Sequence, residues 1–145
     1  MFSTLGPDTF KELRQAWACV DNFAHVMSFI DMHDIGDELL RQGFSDPVID
    51  MEHLQLHYPN LEALIAGLKR QGVRNINASR NPGLTGAGNW LKFKQEIEKC
   101  VTADFKYPLT YEVVYGHGWK LDRQINYADG KTAIPVSQIK KRPIP

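Results

Sequence analysis

Cysteine, net charge and long apolar runs are all scarce in this chain of 145 residues. Its two cysteines, Cys19 and Cys100, stand far apart, with no CxxC and no histidine at ligand spacing beside them. That excludes a disulfide framework or a cysteine-based zinc site and fits a reducing cytoplasm. Seventeen acidic side chains balance seventeen basic ones, so the basic excess of a nucleic-acid binder is missing. No apolar run approaches the ~20 residues that a membrane helix requires, and the start MFSTLGPDTF has no basic stretch followed by an apolar one. Neither a membrane span nor a secretion signal is therefore expected. What is present is an ordinary apolar share of 43%, in a length that suits one domain with a single core.

The apolar spacing divides the chain into alternating elements. FSTL is a short β-branched and apolar piece that stops at Gly6-Pro7, like the last residues of a strand. Asp8 or Thr9 can cap the helix that follows, which carries Phe10, Leu13, Trp17 and Val20 on one face. Residues 20–43 first wander, as a cover over a site would, and then give a second helix with Ile35, Leu39 and Leu40 as its stripe and Gly43 as its stop. From Pro47, VIDMEHLQLHY alternates loosely as a strand. Leu61, Leu64, Ile65 and Leu68 then mark a third helix ending in Lys69 and Arg70, where cations offset its dipole. A loop rich in Asn, Gly and Pro leads to a helix whose Trp90, Phe93 and Ile97 share a face. TYEVVYGHGWK closes the order as a strand, with His117 and Trp119 on one side expected to pack against helices. Residues 123–145 read as an extended basic tail. Strand, helix, strand suggests parallel strands with a crossover, an α/β fold with helices over the sheet faces. Only about three strands are visible, few for that class, so the chain reads as the second half of a larger sheet.

The segments FSTLGPDTFKELRQAW, HDIGDELLRQGFSDPVIDMEHLQLHYPN, LKRQGVRNINASRNPGLTG and YPLTYEVVYGHGWK, in this order, resemble the C-terminal part of the biotin-pathway malonyl-[acyl-carrier protein] O-methyltransferase family. The resemblance reaches to about Lys120 and implies the C-terminal part of a class I methyltransferase (Rossmann-like) sheet over residues 1–122. In that fold FSTL ends the fifth strand, VIDMEHLQLHY is the sixth, and LTYEVVYGHGWK is the seventh, running antiparallel between the other two. The family's cofactor, S-adenosylmethionine, sits on an acidic, glycine-rich turn after the first strand, which this chain lacks. GLTGAG, Gly83 to Gly88, follows an Asn-rich turn rather than a strand and reads as a helix start rather than a cofactor cradle. Cofactor binding is thus expected from an upstream half or a second chain, and the isolated chain is expected to be inactive.

The implied chemistry is methyl transfer to the free carboxylate of malonyl-acyl carrier protein. A carboxylate is already ionised near neutral pH, so no general base is needed; the protein must position the acceptor, exclude water and clamp its charge. Arginine is the natural clamp, because its fork matches a carboxylate with two hydrogen bonds. Arg80, in NASRNPGLTG, is the first choice by resemblance, with Arg74 close by and Tyr58 at the end of the sixth strand as a further substrate contact. Lys69, Arg70, Arg74 and Lys92 can offer a basic patch to an acidic carrier protein, against the plainer reading of solvated helix ends. His53 and His57 are four apart and share a strand face, but with no third ligand in view they do not make a metal site; His33-Asp34 is equally bare. Two other functions stand beside the methyltransferase: an arginine hydroxylase-type assembly factor of the same fold, and a non-catalytic half-domain that binds a carrier or pairs with another chain through an open strand edge.

Overall fold

The computed structural model describes residues 1–72 and 74–120, so the expected basic tail lies outside the described residues. Its elements are β1 (Phe2–Leu5), α1 (Lys11–Ala18), α2 (Met32–Arg41), β2 (Phe44–Tyr58), α3 (Leu61–Arg70), α4 (Ala87–Glu98) and β3 (Tyr107–Lys120). The sheet order is β1-β3-β2, with β3 antiparallel to both neighbours. β1 and β2 therefore run the same way, as the strand-helix-strand pattern implies, but they are not neighbours. The final strand slots between them, as the family resemblance implies. Val114 marks the centre: it faces Thr4 on one side and Met51 on the other, and it is fully buried. β3 can occupy that position because Tyr107–Lys120 is dense in β-branched and aromatic residues, which suit a surface covered on both faces.

α1 begins in a way that the capping pattern does not anticipate. Its N-cap is Phe10, in a left-handed conformation at φ 60°, with no side-chain cap. Thr9 instead faces β3, where its hydroxyl donates to the Glu112 carbonyl at 3.2 Å and accepts from the Glu112 amide at 3.1 Å. The Gly6 amide donates to the same carbonyl at 2.9 Å, the Phe10 amide donates to the Thr110 carbonyl at 2.7 Å, and the Glu12 carboxylate accepts from the Thr110 amide and hydroxyl. Residues 6–12 thus continue the edge pairing where β1 has ended, satisfying backbone groups that would otherwise be buried without partners.

β2 starts earlier than the alternation suggests, at Phe44 rather than Pro47. The missing amide of Pro47 is accommodated by a break in register between Ser45 and Val48, where Asp46 adopts φ 48°. Proline at an irregularity on an edge strand leaves no donor lost from the ladder. The main core joins Phe10, Leu13 and Ala16 near α1, Leu61 and Leu64 of α3, Phe93 and Ile97 of α4, and Leu109 of β3. Each large buried side chain there contributes about 1.5–3 kcal/mol from removal of apolar surface from water. α2 lies against β2 with no fully buried residue; Ile35 and Leu39 are half-buried, but Leu40 is 46% exposed and leaves the expected stripe. Trp119 likewise departs from expectation. Near the end of β3 it is 64% exposed and meets His117 edge-on instead of packing under a helix. Among the described residues, no helix is long and apolar enough to cross a membrane.

Candidate functional site

α1, α3, α4 and the irregular residues after α1 line a half-open cavity of about 470 Å³. Its walls are mostly apolar, built from the same helical faces that make the core. The polar exceptions are His25, Arg74 and Asn75. Trp17 forms the central wall: it stacks on Phe93 at 4.3 Å between ring centres and on His25 at 3.7 Å, with Trp90 beside them. The i, i+3, i+4 spacing of α1 and α4 places these rings together. An apolar surround of this kind strengthens any charge contact made within it.

The segment expected to be a cover does border this cavity, through His25, Val26, Met27 and Phe29. Side chains hold it there. The Arg14 guanidinium donates to the carbonyls of Pro7, Thr9 and Met27, so one fork ties the start of α1 to the cover. The Ala24 amide donates to the Ser79 carbonyl, and the Asn75 side-chain amide donates to the Ala24 carbonyl. Asp21 and His25, four apart, pair at 2.8 Å, which fixes the imidazole plane against Trp17. Burial pushes the Asp21 carboxyl up, but hydrogen bonds from His25 and the Phe23 amide outweigh it and hold the group below the usual carboxylate range. Its other oxygen, Oδ2, is buried without a partner among the described residues.

The sequence-derived candidates separate in space. Arg74 is exposed and lines the cavity, and it is the one permanently charged side chain among the described residues that do. Arg80 does not line it; its guanidinium donates to the carbonyl of Asn77 at 3.3 Å within its own turn. Tyr58 lies opposite Tyr107 in the sheet, with its ring against Gly67 of α3, and is not part of the cavity wall. A side chain at Gly67 would begin 2.9 Å from that ring, so glycine is what admits it. Lys69 and Arg70 are exposed on the last turn of α3 and Lys92 is exposed on α4; none of them is ion-paired among the described residues. Of the three residues that share a face of α4, Trp90 is 36% exposed, while Phe93 and Ile97 are buried. The sequence reading missed Asp21 and His25; their i, i+4 spacing is a signal that could have found the pair.

Gly83 to Gly86 leads directly into α4, with Gly86 as its N-cap and Gly88 already in the helix, and no strand precedes it. The strand-turn-helix geometry that brings backbone amides up to a nucleotide-like ligand is therefore absent from this loop. The glycine-rich residues described do not fit a cradle for S-adenosylmethionine.

No protein-family model matches the chain. Curated relatives do. It is 54% identical over 142 residues to the malonyl-[acyl-carrier protein] O-methyltransferase of Legionella pneumophila, covering 98% of this chain and 50% of that protein. It is 49% identical over 137 residues to the enzyme of that name from Gallionella capsiferriformans, covering 94% of this chain and 47% of the relative. The Coxiella burnetii relative, malonyl-[acyl-carrier protein] O-methyltransferase 1, is 40% identical over 144 residues, 98% of this chain and 50% of its own length. The three-stranded sheet, with its last strand antiparallel in the middle, is compatible with part of a methyltransferase fold. The chain spans about half the length of the curated relatives it matches, and over that half its sequence is similar to the malonyl-[acyl-carrier protein] O-methyltransferases.

Proposed function

We propose that this chain supplies the acceptor side of a cytoplasmic methyltransferase that esterifies the free carboxylate of malonyl-acyl carrier protein in biotin synthesis, with S-adenosylmethionine as methyl donor. The observation that carries the reading is the 54% identity across 98% of the chain to a relative of that name. The cavity supports it chemically. A malonyl carboxylate needs no deprotonation at neutral pH, so the work left to this half is to hold the acyl group, exclude water and steady its charge. Trp17, Phe93 and the cover segment form an apolar wall for the acyl group, and Arg74 meets the carboxylate as a fork. Arg80, outside the wall, is a weaker choice for that contact. Lys69, Arg70 and Lys92 present positive charge on the exposed helical surface, where an acidic carrier protein can be steered at low salt.

A chimera in which this chain replaces the matching half of the Legionella relative tests the proposal. It should transfer methyl groups to malonyl-acyl carrier protein. A chimera that folds and binds S-adenosylmethionine, yet leaves that acceptor unmodified, contradicts the reading.

A further inference from the structure

On the sheet, away from the cavity, three ligand-type side chains converge from three different elements. His53 on β2 and Glu112 on β3 are directly paired across the strands, and Asp8 arrives from the turn that follows β1. Ligand atoms of the three lie within 4.8 Å of one another, and Asp8 Oδ2 stands 3.3 Å from His53 Nε2. Asp8 and His53 are about half exposed, whereas Glu112 is only 4% exposed.

Glu112 is the unusual member. A buried carboxylate is normally paired with a cation or bound to a metal, because losing its hydration costs several kcal/mol. Among the described residues, no lysine or arginine comes within ion-pair distance of it. One oxygen accepts the Asp8 amide at 2.6 Å, and the other accepts no hydrogen bond among the described residues. Its position is also built for: a Cβ on Gly6 would overlap the Glu112 carboxyl group, so glycine there makes the space the carboxylate fills. Lys11 reaches Asp8 at 3.7 Å, but that exposed pair is worth little and can yield to a stronger partner.

We propose that Asp8, His53 and Glu112 form a binding site for one divalent transition-metal ion. One imidazole and two carboxylates suit Mn²⁺, Fe²⁺, Co²⁺ or Zn²⁺, whereas Mg²⁺ and Ca²⁺ favour all-oxygen sites. The buried carboxylate provides the fixed ligand, and the two exposed side chains rotate inward to complete the face. The ion would join the turn after β1 to both other strands and neutralise the carboxylate. The proposal is independent of the methyltransferase reading.

Titration of the chain with Co²⁺, followed by its visible absorption, tests it. One ion should bind per chain, without the near-ultraviolet charge transfer of a thiolate ligand, and should raise Tm. His53→Gln, at an exposed position, should weaken binding at least tenfold and abolish the Tm rise, while His57→Gln on the same strand face should leave both unchanged. Glu112→Gln should also lose the ion, but the His53 variant decides the matter if that one misfolds. The site is refuted by absence of saturable binding, by a thiolate band, or by equal affinity of His53→Gln and the unaltered chain.

Discussion

Thr9→Val isolates the most unusual joint of the fold. The substitution keeps the shape of a fully buried side chain and removes only its hydroxyl. That hydroxyl donates to the Glu112 carbonyl and accepts from the Glu112 amide. The carbonyl keeps a second donor, the Gly6 amide at 2.9 Å, so its loss is small. The Glu112 amide is left buried without an acceptor, at a cost of about 1–3 kcal/mol. No cavity forms, so about 2 kcal/mol is the expected total, a large part of the ~5–15 kcal/mol stability of a typical domain. Thr9→Ser keeps both hydrogen bonds and loses one methyl group, about 1 kcal/mol. Urea unfolding followed by circular dichroism should therefore rank the chains unaltered, then Ser, then Val, with m unchanged. A Val variant as stable as the unaltered chain, or less damaged than the Ser variant, refutes the claim that Thr9 stands in for the ladder of β1.

Two further outcomes follow from the cavity. Because the Asp21 carboxyl is held below its usual range, its contribution to stability is complete above the unfolded value of about 3.9 and is lost as pH falls through the lower folded value. The near-ultraviolet signal of Trp17 should consequently weaken below about pH 4 in the unaltered chain and much less steeply in Asp21→Asn; parallel curves would show that the Asp21–His25 pair does not hold the stack. In the Legionella chimera, Arg74→Ala should raise KM for malonyl-acyl carrier protein by about 10- to 100-fold, the equivalent of one charged hydrogen-bonded contact, with S-adenosylmethionine affinity unchanged. Arg80→Ala should stay within about twofold, and a reversed ranking would return the clamp to Arg80.

Much of this fold is legible in the residues because helical periodicity survives tertiary packing. Leu61, Leu64, Ile65 and Leu68 mark α3 almost to the residue, and Phe93 and Ile97 are buried as their spacing implies. The central, antiparallel place of β3 is legible only through family resemblance, since alternation carries no information on strand order. The start of α1 misleads for a physical reason: Thr9 satisfies capping chemistry equally well, but the unpaired edge of β3 beside Glu112 is the more demanding partner. Trp119 misleads because β-propensity does not reveal where cover on a sheet ends. At the candidate site, Arg74 and Arg80 are chemically alike and six residues apart, and only the turn bonded at Asn77 separates them. Asp8 and Glu112 lie 104 residues apart, beyond any spacing rule, which is why His53 has no visible partner along the chain.

The acceptor group is the heart of the account, and a competition between two carriers addresses it most directly. Equal amounts of malonyl- and acetyl-acyl carrier protein are incubated with the chimera and S-adenosylmethionine, and the intact carriers are weighed by mass spectrometry. A methyl group gained by the malonyl carrier alone is the predicted result, because only that acyl chain ends in a free carboxylate. Methylation of both carriers, or of neither by a folded chimera, would contradict it.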